Sequence, residues 1–559
     1  MAIRTIIFLF LAIFLGCTNQ ENADMAGEFQ AFLDDYEANV KDLSIRHSKT
    51  YFAASVSGKP EDYQAAADLE LELGKIHANA EDFRKLKRIK DSGAITEPLP
   101  ARQLHVIYNA FLAKQMDEKQ LAAIIELQTE IEQEFSTFRA KLDGAEKTDN
   151  ELKELLRKSR DSEELERAWK ASKQIGARVA GDIVKLVKMR NAAAQDLGFK
   201  SYQQMQLSLG DQDPETIEKL FDDLDNLTRD IFAETKKETD RVLAKQYGIG
   251  ENELRPWHYQ NPFFQEAPRV YEVDFDKYYE NQDIEKLTNE YYAGIGLPID
   301  DMVAGSDLYE KEGKYQHAYC TDVDREGDVR VICNIKPNYY WMNTNLHEFG
   351  HAVYGKYNDR EIPWILREPA HSFTTEAIAM LFGRFASNAA WIEEMTGISE
   401  AEAAKISEAA SKMLRLEQLV FSRWVQVMYR FEKSLYENPD QDLNALWWDL
   451  VEKYQMLKRP EGRDEPDWAA KIHVAIYPVY YHNYIMGELL ASQLFYYISD
   501  HILKTEDYGN TTFAGKPEVG DYLIRKVFKP GNTLHWDEMI ENATGERLTP
   551  KYYARQFVE

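Results

Sequence analysis

His347-Glu348-Phe349-Gly350-His351 places two imidazoles four residues apart, with a carboxylate beside the first. On a helix, residues four apart project from one face, one turn from each other. Imidazoles so placed can hold one Zn²⁺, and Glu348 can take a proton from a water brought to the metal. Histidine is scarce, 12 in 559 residues, so the pattern should arise by chance in about one such chain in a hundred. A catalytic zinc site has three protein ligands and one open position. Glu361, Glu368, His371 and Glu376 all follow downstream as candidates for the third. Glu361 and Glu368 fall in a proline-broken stretch, 360–369, where a rigid ligand is less easily held. Glu376 opens an apolar helical run, 374–382. A carboxylate in so apolar a helix needs a partner. A metal is one such partner, and an arginine such as Arg384 is another. The spacing favours Glu376 as the ligand.

The elements that must position these groups are mostly helical. From Glu28 to Leu287, apolar residues recur at three- and four-residue spacing among Glu, Lys and Arg. Thr148 with Glu151 has the form of a capping box. Asp213-Pro214 opens a helix with proline at its first position. The charge-rich segment 141–167 reads as a solvated helix face. Trp257 and His258, in a proline-bounded loop, read as packing. Residues 314–335 read as a β-hairpin. With Glu326-Gly327 as a two-residue loop, Cys320 and Cys333 stand directly opposite each other at a non-hydrogen-bonded pair, which predicts a disulfide. Helices resume near Ser372 and run to the C-terminus, interrupted at 458–466 and 506–518. No internal repeat or low-complexity linker divides the chain.

Hydrophobic residues make up 44% of the chain and aromatics 12%, which excludes a disordered chain and allows one large core or two lobes with a cleft between them. A net charge of -28 argues against nucleic acid or an anionic membrane surface as a partner. The N-terminus reads as a leader. Arg4 precedes the apolar run 6–15, which ends in Phe14-Leu15-Gly16-Cys17 and resembles a bacterial lipoprotein cleavage box. The expected organisation is a signal peptide at 1–16, lipidation at Cys17, a polar tether over 17–27 and one domain over 28–559. The expected location is the bacterial periplasm or cell envelope, with membrane contact only through the anchor.

His347 to His351, then Leu366-Arg367-Glu368, then Glu376-Ala377-Ile378, resemble the peptidyl-dipeptidase A family of angiotensin-converting enzymes. Three further stretches carry the likeness: His317-Ala318, Lys471-Ile472-His473 and Tyr481-His482-Asn483-Tyr484. The related thimet oligopeptidase family is echoed at 313–318 and 481–488. The motifs cover about 313–490, the expected zinc-site core. The resemblance implies a mainly α fold, two helical lobes enclosing a deep substrate cleft, with one short β-sheet beside the zinc helix. It implies one Zn²⁺ held by His347, His351 and Glu376, with Glu348 as general base. Tyr484 and His473 would stabilise the oxyanion. Lys471 and Tyr481 would hold the substrate's C-terminal carboxylate, fixing the cut two residues from that end. His317 and Ala318 would bind the peptide as an added strand. Short peptides are the expected substrates, and a monomer the expected state. An oligopeptidase cutting internally is the second reading, and an inactive peptide-binding lipoprotein the third. Two departures stand out. The acid that the family places four residues after its glutamate ligand, against a zinc histidine, is Met380 here. The family's arginine tied to chloride activation is Asn483, which predicts weak or absent chloride dependence.

Overall fold

Polar caps open the helices where the sequence marks them. A computed structural model describes the backbone from Ala2 to Glu559 apart from Glu272, and side chains from Asn22 onward. The leader and Cys17 lie outside the described side chains. The first helix, α1, is Ala2–Ser57. Among the described residues, no helix is long and apolar enough to cross a membrane.

After four more helices between Pro60 and Thr137 come a small hairpin, β1 (Ala140–Leu142) and β2 (Ala145–Lys147), and the helix α2 (Asp149–Lys158). Asp143 and Gly144 form the hairpin's turn, both at positive φ (52° and 84°), as a tight two-residue turn requires. This is a second sheet where the sequence suggested only helix. Its strands of three residues are too short to show an alternating pattern. The capping box is present at the start of α2: Glu151 N donates to Thr148 Oγ1 at 3.2 Å, and Thr148 N donates to Glu151 Oε2 at 2.9 Å. Further on, Asp213 caps α3 (Pro214–Tyr247), accepting from Thr216 N at 2.8 Å.

The second hairpin pairs β3 (Tyr319–Asp322) with β4 (Val329–Ile332), and β3 is its outer edge. The register is Tyr319 with Ile332, Cys320 with Val331 and Asp322 with Val329. It is shifted by two residues from the register that a Glu326-Gly327 turn would give. The loop is longer because Asp324 organises it, its Oδ1 accepting from Glu326 N at 2.7 Å and Asp328 N at 3.0 Å. Cys320 therefore faces Val331, Cys333 lies beyond the paired strand, and both cysteines are free thiols. The expected disulfide is absent.

Asn338 caps α4 (Tyr339–Lys356), the helix carrying His347 and His351. His371 caps α5 (Ser372–Gly383), which carries Glu376. The two helices pack so closely at Gly350 that a β-carbon there would lie 2.7 Å from Ala379 Cα. Then follow α6 (Glu400–Glu437) and α7 (His482–Tyr497). The fold is mainly helical with two small sheets. One hydrophobic cluster runs from Ile124 to Phe557. A second joins Phe29, Phe32 and Tyr36 of α1 with Phe111 and Trp364.

Candidate active site

Helical spacing sets the first two groups. His347 and His351 project from the same side of α4, their ring centroids 4.9 Å apart and nearly perpendicular. Glu376, from the first turns of α5, brings its Oε2 to 3.6 Å from His347 Nε2 and 3.8 Å from His351 Nε2. One ligand atom from each residue lies within 4.8 Å of the others. Donors about 2 Å from a tetrahedral zinc stand roughly 3.3 Å from one another. Two neutral imidazoles and a carboxylate at this separation fit Zn²⁺ and leave a fourth position open. Burial favours the uncharged imidazole that a metal needs. It pushes His347 down to about 4, and His351 well below its ordinary value, with His347 as a second cause.

The other candidates for the third ligand have different work. His371 Nδ1 accepts from Phe373 N at 3.1 Å as a helix cap. Glu368 is bonded to Arg325, and Glu361 is exposed at a turn. Arg384 is bonded to Glu488 and not to Glu376. His258 is structural: its Nδ1 accepts from Arg255 N, and Ser162 Oγ lies 2.8 Å from its Nε2.

Glu348 is 8% exposed. Burial, then the nearby Glu376, pushes its carboxyl up to about 8. A cation held by the three ligands would oppose that shift. These residues line a cavity of about 700 Å³, closed by α1 at Ser44 and Ser48 and by the β3 edge from Ala318 to Asp322. His317 is exposed, just before β3, its ring 5.4 Å from that of Tyr315.

Close packing of α7 on α5 carries the site onward. A β-carbon at Gly487 would lie 3.3 Å from Glu376 Cβ and 3.2 Å from Met380 Sδ. Tyr484, one turn before Gly487, falls on the same face. Its hydroxyl is raised by burial and then by the Glu376 charge. From Tyr484 a file of side chains leads away from the metal ligands. Its ring is 5.3 Å from that of Tyr481, which is 5.1 Å from His473. The Lys471 ammonium lies 5.5 Å from the Tyr481 ring centre. His473 Nδ1 is buried without a hydrogen-bond partner among the described residues, and burial pushes the ring down to about 4, so it is neutral. Trp424 Nε1 donates to the Tyr481 hydroxyl at 2.7 Å, leaving that O–H free to donate elsewhere.

Two groups at the site carry no signal in the sequence. Gln265 Oε1 accepts from Lys471 Nζ at 2.6 Å, and it comes from a loop that reads only as packing. Thr375 Oγ1 lies 2.8 Å from His351 Nδ1. It stands where Met380, turned into the α7 contact, cannot serve.

A mainly helical fold with His-Glu-x-x-His and a glutamate from the next helix defines a metallopeptidase. Residues 23–552 match the angiotensin-converting enzyme family of peptidases, and the chain belongs to that family. It is 22% identical to an angiotensin-converting enzyme of Haematobia irritans exigua over 570 aligned residues, covering 93% of this chain and 88% of that protein. It is 21% identical to an angiotensin-converting enzyme of Theromyzon tessulatum over 434 residues, covering 72% of this chain and 70% of that protein.

Proposed function

We propose that this chain is a zinc-dependent peptidyl-dipeptidase that removes C-terminal dipeptides from short peptides. The observation that carries the reading is Lys471. It is 8% exposed and bonded only to the neutral Gln265 among the described residues. Burial pushes its ammonium down to about 8, with Lys153 as a smaller cause. Glu266 and Asp149 offset this only in part, and neither is ion-paired with it among the described residues; a buried cation without a paired carboxylate is costly, and a substrate carboxylate would supply one. The Tyr481 hydroxyl would donate to the same carboxylate.

His347, His351 and Glu376 would hold the Zn²⁺, which when bound polarises a carbonyl and makes a water more acidic. Glu348 takes the proton of the attacking water and returns it to the departing amine. Tyr484 O–H and the N–H of neutral His473 donate to the carbonyl oxygen as it gains charge. The free edge of β3, with His317 and Ala318 before it, accepts the peptide backbone as another strand.

Product analysis by mass spectrometry tests the reading, with one peptide carrying a free C-terminus and its twin an amide. Dipeptide release from the first and a large loss with the second support it. Equal internal cleavage of both would favour an oligopeptidase of the thimet type. No hydrolysis by zinc-loaded protein over a broad peptide set would favour an inactive peptide-binding lipoprotein. The envelope location belongs to the same proposal: lipidation at Cys17 predicts that Cys17→Ala moves the protein from the membrane to the soluble fraction.

A further inference from the structure

Gly210, Asp211 and Gln212 form a short turn before α3, and each is hydrogen-bonded to a different histidine. His371 bonds to the Gly210 backbone. Gly210 N already donates to Gln206 O, so the group that meets the imidazole is the Gly210 carbonyl. His535 Nε2 lies 2.8 Å from Asp211 O, and His482 Nε2 lies 2.7 Å from Gln212 Oε1. Asp211 holds φ +56°. Its carboxylate is bonded to His105 and, at 2.7 Å, to Arg102, both from the helix Pro98–Leu112. Four of the 12 histidines in the chain thus meet at one turn.

Two of them also cap helices. His371 Nδ1 accepts from Phe373 N at 3.1 Å, and His535 Nδ1 accepts from Asp537 N at 3.2 Å. A ring nitrogen accepts only while the imidazole is neutral, so in both rings the one proton sits on Nε2 and points at the turn. Burial pushes His371 down to about 4, against the Gly210 carbonyl and the Asp211 charge, with His535 and Arg102 as smaller causes of the fall. Burial, then His371, pushes His482 down to about 3. The turn therefore ties α5, five residues before Glu376, to α7, two residues before Tyr484.

We propose that Gly210–Gln212 is an acid-released clamp that positions α5 and α7, and with them Glu376 and Tyr484. A proton on His371 Nδ1 turns the cap acceptor into a donor facing Phe373 N–H, and the cap is lost. A proton on His482 adds a like charge beside it. Asp211, already shared by Arg102 and His105, cannot balance both. Each ring binds its proton less tightly in the fold than at the ordinary value of 6.5. The hold is therefore full above about pH 6.5 and weakens as pH falls toward 4. This clamp belongs to the fold, whichever peptides the protein cuts.

Amide hydrogen exchange of the full metal-free chain, corrected for the intrinsic effect of pH, tests the clamp without substrate. Residues 208–214, 369–378 and 480–487 should lose protection at least about tenfold between about pH 6.5 and 4.5, as linkage to one or more protons requires. The loss should reverse at neutral pH, and α6 should stay protected throughout. His371→Asn and His371→Ser both supply a cap that does not titrate. In either variant the loss should shrink at least about threefold. Protection unchanged in acid, a loss shared equally by α6, or an equal loss in both variants would overturn the proposal.

Discussion

His351 Nδ1 lies 2.8 Å from Thr375 Oγ1, and Thr375 immediately precedes Glu376, the third member of the candidate metal set. With Nε2 turned toward Glu376, the Nδ1–H donates to the hydroxyl, which fixes both tautomer and ring orientation. Thr375→Val should lower zinc affinity about 10- to 100-fold while leaving metal-free stability almost unchanged. Chelator competition measures the first, and urea unfolding the second. Thr375→Ser should keep wild-type affinity. An unchanged zinc affinity in the valine variant would remove the hydroxyl from this role.

Glu348→Gln should retain zinc and lose about 10²- to 10⁴-fold in kcat. Metal content by atomic absorption and steady-state kinetics separate the two effects. Full hydrolytic activity in this variant would refute the mechanism.

Gly350→Ala should cost about 1–3 kcal/mol. The new methyl would meet the backbone of Ala379, which cannot rotate away as a side chain could. Equilibrium unfolding of the metal-free protein measures the loss, and a change within error would show that α4 and α5 can separate freely.

Glu432 gives a pH prediction. Buried in α6, its Oε1 accepts from Val479 N at 2.7 Å. Val479 holds φ +55°, a strained conformation for a β-branched residue. It lies in the segment between His473 and Tyr481. Arg190 holds the same segment by donating to Ala475 O at 2.8 Å. Burial pushes the Glu432 carboxyl up to about 8, against the opposing Val479 N–H bond and the Arg190 charge. The folded state therefore binds this proton more tightly than the unfolded state. The contribution to stability is full below about pH 4.5 and is lost as pH rises through 8. Glu432→Gln keeps the acceptor for Val479 and should flatten that fall, seen as a smaller change in urea midpoint between pH 5 and 8. A slope equal to wild type would mean that Glu432 is ionised in the fold.

Chloride should change peptidase activity less than about twofold, because the site offers it no arginine at residue 483. Asn483 is 5% exposed, and its Oδ1 accepts from Gln212 Nε2 at 2.7 Å. The Oε1 of the same Gln212 accepts from His482 Nε2, also at 2.7 Å. This buried set is already paired and neutral. A chloride titration at constant ionic strength measures the response, and a steep rise would show a chloride site elsewhere.

The pairing of His347 with His351 was legible because a helix turns four-residue spacing into direction, whereas Glu376, on another helix, was legible only as a carboxylate in an apolar run and through the family resemblance. The capping box at Thr148 and the helix start at Asp213 were legible for the same reason: each is written within four residues. The second hairpin was legible as a hairpin but not in its register. Its loop length depends on where the Asp324 carboxylate finds its donors, and a strand pattern does not record that. The first hairpin was hidden by its brevity, although Asp143-Gly144 is a turn signal. Thr375 and Gln265 were not legible at all. Each acts on a residue that only tertiary packing brings near, across 24 and 206 positions. An ordinary polar residue acquires such a role from its neighbours.

The contact between Gly350 and Ala379 bears on how the site is held together. Because α4 and α5 meet backbone to backbone, the packing of the two helices sets where His347 and His351 stand relative to Glu376. Anything that loosens the contact at Gly350 would therefore draw the glutamate away from both histidines at once.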